Sequence, residues 1–239
     1  MSGPSLVGEH LYWLSPAPPD RPSLCAVTGE RTTIWLDGGS SAMHAREFLE
    51  FLAGEGVPRP SHVVLSHSHW DHVFGCSELG ATVVAQALTA QYLEELAATD
   101  WSDEALDRRI AAGESSRQHA ENVKAELPSP RDVRIAPADV VFRDRLEFDL
   151  GGVRVYVRHV GGDHADDSTV MYVEPDGVLF LGDALYEAPG GGYTAERLLP
   201  LIDAVRSFGA ARFVEGHGET LLSRADLDQI VAEATATVA

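Results

Sequence analysis

Cysteine is scarce in this sequence. The chain has 239 residues and two cysteines, Cys25 and Cys76, which lack the CxxC spacing of a zinc or redox motif. Two cysteines cannot form a disulfide framework for a chain of this length. We therefore expect both to be buried free thiols in a protein of a reducing, cytoplasmic compartment.

Positive charge and long apolar runs are also scarce. The 18 basic residues stand against 37 acidic ones, which gives a formal net charge of −19. Such a surface repels phosphate backbones and anionic membranes, so we predict a small-molecule substrate and no nucleic-acid or membrane partner. No stretch approaches the ~20 apolar residues of a membrane span. The N-terminal sequence lacks the basic and apolar regions of a signal peptide.

Short apolar runs alternate with helical patterns along the chain. Strand patterns begin with LVGEHLYWLS and SLCAVTGERTTIWLDGG, and later ones include VVFRDRLEFDL and STVMYVEPDGVLFLGD. Helical patterns include one at about 42–53 and one that starts after Ser223, a predicted N-cap. A polar stretch rich in Ala and Glu, at about 89–127, predicts one or two further helices. This alternation predicts a layered α/β fold, and the lack of repeats or linkers predicts a single domain.

Four candidate metal ligands occur within six positions, directly after the apolar strand pattern at His62–Leu65. They are His67, His69, Asp71 and His72, in the sequence HSHWDH. Because side chains alternate along a strand, the two histidines of an HxH pair can point the same way. Imidazole and carboxylate groups are suitable ligands for zinc and similar metals. The motif therefore predicts a metal site.

Three further candidates stand where later strand patterns end. His164 lies in GGDHADDS, Asp183 in LFLGDAL and His217 in FVEGHGE. Each has a glycine beside it or two positions away, which lets the backbone approach closely. Loops gathered at one edge of a sheet would bring these side chains to the HSHWDH motif.

In this order the motifs resemble those of the metallo-β-lactamase superfamily. HSHWDH matches the HxHxDH signature, and GDH, FLGDAL and EGHG resemble the later motifs, although no single subfamily is clearly matched. The resemblance extends from about Leu6 to Gly218. It implies an α/β fold in which two mixed β-sheets form an αββα sandwich flanked by helices. The whole chain, 1–239, would then be one such domain with a helical insertion at about 87–127.

The resemblance also implies two divalent metal ions, zinc in the first place, with manganese or iron as alternatives. The first ion would be held by one set of histidines and the second by a mixed set, and one aspartate would bridge them. Carried over residue by residue, the first set is His67, His69 and His164, the second is Asp71, His72 and His217, and the bridge is Asp183.

A hydrolytic reaction follows from this implied centre. Two adjacent ions lower the pKa of a shared water, and the resulting hydroxide attacks a carbonyl carbon. Asp71 is expected both to bind metal and to orient the hydroxide. Tyr186, in DALY, lies near the sequence position at which lactonases of the superfamily have a tyrosine that contacts the substrate. The alternative is that Tyr186 only packs in a loop. We therefore expect hydrolysis of a small ester, lactone or thioester.

Other functions and roles stay open at this point. An iron-dependent oxidoreductase of the same superfamily and a phosphodiesterase are the alternatives to the carbonyl hydrolase. Asp183 stands where true β-lactamases of the superfamily often have cysteine, which argues against hydrolysis of antibiotics. The insertion at about 87–127 is expected to form either a lid over the metals or a helical decoration that contacts a second copy. Trp70 and Tyr193 are candidates for lining the pocket.

Overall fold

Two β-sheets form the centre of the molecule, shown by a computed structural model that describes residues 4–238. The predicted domain limits at Met1 and Ala239 lie outside the described residues. The first sheet follows chain order and consists of β1 (Ser5–Val7), β2 (Leu11–Leu14), β3 (Leu24–Thr28), β4 (Thr33–Leu36), β5 (His62–Val64), β6 (Thr82–Gln86) and β7 (Val140–Phe142). The second consists of β8 (Arg145–Asp149), β9 (Arg154–His159), β10 (Thr169–Glu174), β11 (Val178–Gly182), β12 (Arg212–Glu215) and β13 (Leu222–Ser223).

Both sheets are mixed, as predicted. In the first sheet, β1 to β4 pair antiparallel and β4 to β7 pair parallel. In the second, the order is β13-β12-β11-β10-β9-β8, and only β11 and β12 are parallel. Parallel neighbours need crossover connections, and these connections supply all the helices on the outer faces except the C-terminal one, which follows the last strand.

Eight helices accompany the sheets in the described part of the chain. They are α1 (Ala42–Gly54), α2 (Trp70–Val73), α3 (Cys76–Leu79), α4 (Ala87–Ala98), α5 (Asp103–Ala112), α6 (Arg117–Glu126), α7 (Ala195–Ser207) and α8 (Arg224–Ala236). The predicted N-cap at Ser223 is confirmed: its hydroxyl accepts from the amide of Asp226 in a capping box. No helix of the described residues is both long enough and apolar enough to span a membrane.

Three buried clusters show how the layers pack. The cluster between the sheets joins residues of both, such as Ile34 of β4 and Phe180 of β11. A second cluster packs α1 to α6 against the outer face of the first sheet, around Trp35 and Phe48. A third packs α7 and α8 against the outer face of the second sheet. The αββα sandwich is therefore confirmed, and Cys25 and Cys76 are buried free thiols within it.

The insertion differs from the prediction, because it contains three helices instead of one or two. The Ser102 hydroxyl accepts from the amide of Ala105 at the start of α5, and Ser116 caps α6 in the same way. Gly113 ends α5 with a φ of 74°, in the left-handed region that suits glycine. These local stop and start signals divide a stretch whose composition alone indicates continuous helix.

The strand pattern VVFRDRLEFDL is also divided. Its first part forms β7 at the edge of the first sheet, and its second part forms β8 at the edge of the second. The chain bends between them at Arg143 and Asp144. Alternation of apolar residues predicts a strand but does not identify its partner, so this change of sheet was not predicted.

Candidate metal centre

The seven predicted ligands come together at one edge of the sandwich. The HSHWDH segment follows β5 of the first sheet, and the remaining three residues follow β9, β11 and β12 of the second. The ligands form two groups, and within each group the ligand atoms lie within 4.8 Å of one another. The first group is His67, His69, His164 and Asp183, and the second is Asp71, His72 and His217. This division matches the two predicted sets.

Asp183 lies between the two groups. Its Oδ2 atom is 3.3 Å from Nε2 of His164 and 3.9 Å from Nε2 of His67, both in the first group. The same oxygen is 3.4 Å from Nε2 of His72 and 3.6 Å from Nε2 of His217, both in the second. One carboxylate oxygen therefore faces four imidazole nitrogens, as a bridging ligand would.

Several buried polar atoms of this cluster have no hydrogen-bond partner. They are Nε2 of His67, Nε2 of His72 and Oδ1 of Asp183. A buried polar atom without a partner costs free energy, and three of them converge here. A bound cation would satisfy all three, and a set of imidazole and carboxylate donors suits divalent transition metals. The residues therefore fit metal ions at this site.

The charge states of two candidate ligands suit metal binding directly. Burial, with His72 and His69 beside it, holds the pKa of His67 well below its usual range, so the imidazole is neutral and its Nε2 can donate a lone pair. Burial alone would raise the pKa of the Asp183 carboxyl. The neighbouring His72, His164 and His217 outweigh burial and hold that pKa well below its usual value. Asp183 is therefore an anion. Elsewhere in the cluster, carboxylates outweigh burial and raise the pKa of His72 and His217, so a metal ion would displace a proton from each.

Asp37 had no predicted role and proves to support the second group. Its carboxylate accepts hydrogen bonds from Nδ1 of His72 at 2.7 Å and from the amide and hydroxyl of Ser66 at 2.6 and 2.7 Å. A carboxylate on the far nitrogen of a ligand histidine fixes the orientation of the ring. Asp37 directly follows the apolar strand β4, which is the same signal that identified Asp183.

Two glycines provide room for the cluster. A Cβ atom on Gly216 would lie 1.9 Å from Oδ1 of Asp183, and one on Gly182 would lie 2.7 Å from Cβ of Ser66. Gly182 also has a φ of 52°, which other residues rarely adopt. The glycines beside the strand ends thus allow the close approach that the sequence predicted.

Tyr186 lies beside both groups. Its hydroxyl oxygen accepts a hydrogen bond of 3.1 Å from the amide of His217, which leaves its own proton free to be donated. Its ring centroid is 5.8 Å from that of His164 and 6.3 Å from that of His217. Burial and the charge of Asp183 raise the pKa of the phenol, so it stays protonated.

The helical insertion reaches the cluster through Asp20. Asn122 of α6 donates to Oδ2 of Asp20 at 2.8 Å, and Oδ1 of Asp20 lies 3.8 Å from Nδ1 of His217. Nothing in the sequence near Asp20 or Asn122 predicts this link, because it joins positions about a hundred residues apart.

A cavity of about 910 Å³ opens over the ligands. Its lining includes five of the candidate ligands together with Trp70 and Tyr186, and it also includes insertion residues between Tyr92 and His119. The insertion therefore borders the cavity, as the lid hypothesis requires. Tyr193 does not line it: its hydroxyl instead donates to the carbonyl of Leu185 at 2.8 Å.

The family model of the metallo-β-lactamase superfamily matches residues 19–234. The chain belongs to this superfamily. Solved structures of the superfamily share its fold: a metallo-β-lactamase from Pontibacter korlensis is 19% identical with a TM-score of 0.65, over 97% of this chain and 98% of that one. A metallo-β-lactamase family protein from Thermus thermophilus is 25% identical with a TM-score of 0.63, over 95% and 80%.

A third similar structure, of the sec-alkyl sulfatase PisA1, is 18% identical with a TM-score of 0.68, over 98% of this chain and 41% of that one. A search of curated proteins gives no match. The superfamily membership inferred from the HxHxDH motif is confirmed, and the αββα fold with it.

Proposed function

We propose that this superfamily member is a dinuclear metal-dependent hydrolase that acts on a small ester, lactone or thioester. The observation that carries the proposal is the position of Asp183, whose Oδ2 lies within 3.9 Å of imidazole nitrogens from both ligand groups. A single carboxylate placed in this way can be shared by two ions, and two-metal sites are typical of hydrolytic chemistry.

The proposed ligands follow the two groups. The first ion would be held by His67, His69 and His164, the second by Asp71, His72 and His217, and both by Asp183. Divalent ions, of which zinc suits these donors best, would supply Lewis acidity and a water of lowered pKa.

Asp71 would orient the attacking water. Its Oδ2 lies 3.3 Å from Nε2 of His72 and 3.1 Å from Nε2 of His217, and the residue also lines the cavity. Burial raises the pKa of Asp71, but the two histidines outweigh it and hold that pKa far below its usual value. The carboxylate is thus an anion that would accept a hydrogen bond from a water in the cavity.

Tyr186 would donate a hydrogen bond to an oxygen of the substrate. The amide of His217 fixes the hydroxyl from behind, so the phenol can donate its proton in a hydrogen bond to a carbonyl or a leaving oxygen. A fixed donor aimed at developing negative charge lowers the barrier of acyl transfer. The tyrosine therefore supports a carbonyl substrate over an oxidative reaction.

Surface chemistry supports a soluble partner of low mass. The formal charge of −19 disfavours nucleic acids and anionic membranes. Two buried free thiols suit a reducing, cytoplasmic compartment. The superfamily fold alone does not select a substrate, since neighbours with this fold are described as metallo-β-lactamases and as a sulfatase.

The deciding measurement is the metal content of protein purified without a His tag, determined by elemental mass spectrometry. We expect about two zinc ions per chain, reduced in His67→Ala and in Asp183→Ala. His10→Ala serves as the control, because His10 pairs with Asp176 away from the cluster. A panel of esters, lactones, thioesters and phosphodiesters then identifies the bond that is cleaved. One iron per chain that is insensitive to Asp183→Ala, together with oxygen consumption, would instead identify an oxidoreductase.

A further inference from the structure

Arg109 is the one arginine or lysine among the described residues that line the cavity. It lies in the last turn of α5, and its guanidinium carbon is 5.1 Å from the centroid of the Trp101 ring. Its Nη2 atom is buried without a hydrogen-bond partner, and no ion pair to it occurs in residues 4–238. The next residue back, Arg108, is exposed and pairs with Asp100 at 3.5 Å.

Trp101 holds this guanidinium in a fixed place relative to the metal ligands. The Trp101 indole donates from Nε1 to the carbonyl of Leu96 at 3.2 Å. Its ring meets Phe74 edge to face, with centroids 4.9 Å apart, and Phe74 directly follows α2, which contains two candidate ligands. Arg109 is therefore stacked on a side chain that packs against the metal-binding segment.

The surroundings of Arg109 suit an anionic ligand. A buried guanidinium N–H without a partner costs free energy, and a guanidinium stacked on an aromatic ring presents its fork to a planar carboxylate. A positive charge in the last turn of a helix also stabilises the helix. Arg108, which precedes that turn, is neither stacked nor unpaired.

The charge of the cavity makes this arginine distinctive. The carboxylates that line the cavity are Asp20, Asp71, Asp183, Glu95 and Glu114. None of them forms an ion pair with Arg109. An anionic group entering this cavity would be repelled over most of the wall and attracted at Arg109, apart from the metal ions themselves.

Building on the proposed hydrolase function, we propose that Arg109 binds a carboxylate of the substrate. The substrate would then be an ester, lactone or thioester that carries a carboxylate away from the bond that is cleaved. Arg109 is a specificity-determining residue in this proposal, and it takes no part in the bond-breaking step.

Binding of simple acids tests the assignment independently of turnover. In the metal-loaded protein, each α,ω-dicarboxylate of four to ten carbons is compared by calorimetry with the monocarboxylate of equal length, since both can bind metal through one end. We expect one chain length at which the dicarboxylate binds about tenfold to a hundredfold more tightly. This preference should vanish in Arg109→Met and persist in Arg108→Met, which removes the same charge from the preceding residue of α5.

A matched pair of esters tests the consequence for catalysis. We expect kcat/KM for the 4-nitrophenyl half-ester of the preferred dicarboxylate to fall about tenfold to a hundredfold in Arg109→Met, with the 4-nitrophenyl ester of the equally long monocarboxylate unaffected. Arg109→Lys should recover only part of the loss, because an ammonium group lacks the planar fork.

The outcomes separate the two proposals. A dicarboxylate preference that survives in Arg109→Met, or one that is absent at every chain length, would overturn the role of Arg109 even if esters are hydrolysed. A preference lost only in Arg109→Met, without turnover of any ester, lactone or thioester, would uphold the anion site and overturn the proposed hydrolase function.

Discussion

Nδ1 of His72 donates a 2.7 Å hydrogen bond to Oδ2 of Asp37, and both side chains are fully inaccessible to solvent. Asp37 is the one non-glycine residue of the described chain with a positive φ, 65°, a conformation that aspartate and asparagine tolerate better than most residues. The bond fixes the ring of His72 so that Nε2 faces Asp71 and Asp183. The residue after β4 thus orients a candidate ligand in α2, the helix that follows the neighbouring strand β5.

Asp37→Asn should weaken metal binding. Asparagine suits the local backbone and can still accept from Ser66, but it carries no charge to hold the imidazole of His72. We expect zinc affinity about tenfold to a hundredfold lower, measured by competition with a chromophoric chelator. Asp176→Asn, which disrupts the pair between Asp176 and His10 on the far side, should lower stability and leave zinc affinity unchanged. Equal affinities in wild type and Asp37→Asn would contradict the role of this bond.

The sequence predicted the ligands because each carries a local signal. HSHWDH is dense and follows a strand, and Asp183 and His217 follow strands beside glycines. The same signals do not separate a ligand from a residue that supports one. Asp37 also follows a strand and stands beside a glycine, and only the folded structure relates it to His72.

The cavity wall could not be predicted for a different reason. The roles of Arg109 and Asn122 depend on how three insertion helices pack over the first sheet, and helical periodicity gives no direction for that packing. The same applies to the split of VVFRDRLEFDL between two sheets. Local pattern predicted the kinds of element here, and long-range contacts determined their partners.

Gly216→Ala should disrupt the bridging position. The added Cβ would lie 1.9 Å from Oδ1 of Asp183, so the carboxylate or the backbone after β12 must move. We expect loss of metal, measured per chain by elemental mass spectrometry, with the fold retained by circular dichroism. Gly54→Ala is a matched control, since no atom lies within 4 Å of the Cβ it would add. Full metal occupancy in Gly216→Ala would show that Asp183 is not constrained as described.

Tyr186→Phe should separate catalysis from metal binding. It removes the hydroxyl proton proposed for the substrate oxygen, and we expect kcat to fall about 100-fold with metal content unchanged. Tyr193→Phe, which removes a hydroxyl bonded outside the cavity, should retain wild-type kcat. An unchanged kcat in Tyr186→Phe would mean that Tyr186 has only a packing role.

His44 should make the metal-free protein less stable as the pH falls. Burial, with the nearby Arg21, lowers the pKa of His44 to about 3, whereas an unfolded chain has a histidine pKa of about 6.5. Below about pH 6.5 the unfolded state therefore binds a proton that the folded state does not, and stability is lost progressively down to about pH 3.

The magnitude of this effect is testable by urea unfolding of chelator-treated protein at pH 7 and pH 5. The wild type should lose about 2 kcal/mol more than His44→Gln over this interval. Glutamine can still accept the hydrogen bond that the amide of Ser40 donates to Nδ1 of His44, so the variant tests titration more than packing. His159→Gln, at a partly exposed position, should keep the wild-type dependence. Parallel curves for wild type and His44→Gln would mean that the pKa of the buried imidazole is close to that of an unfolded chain.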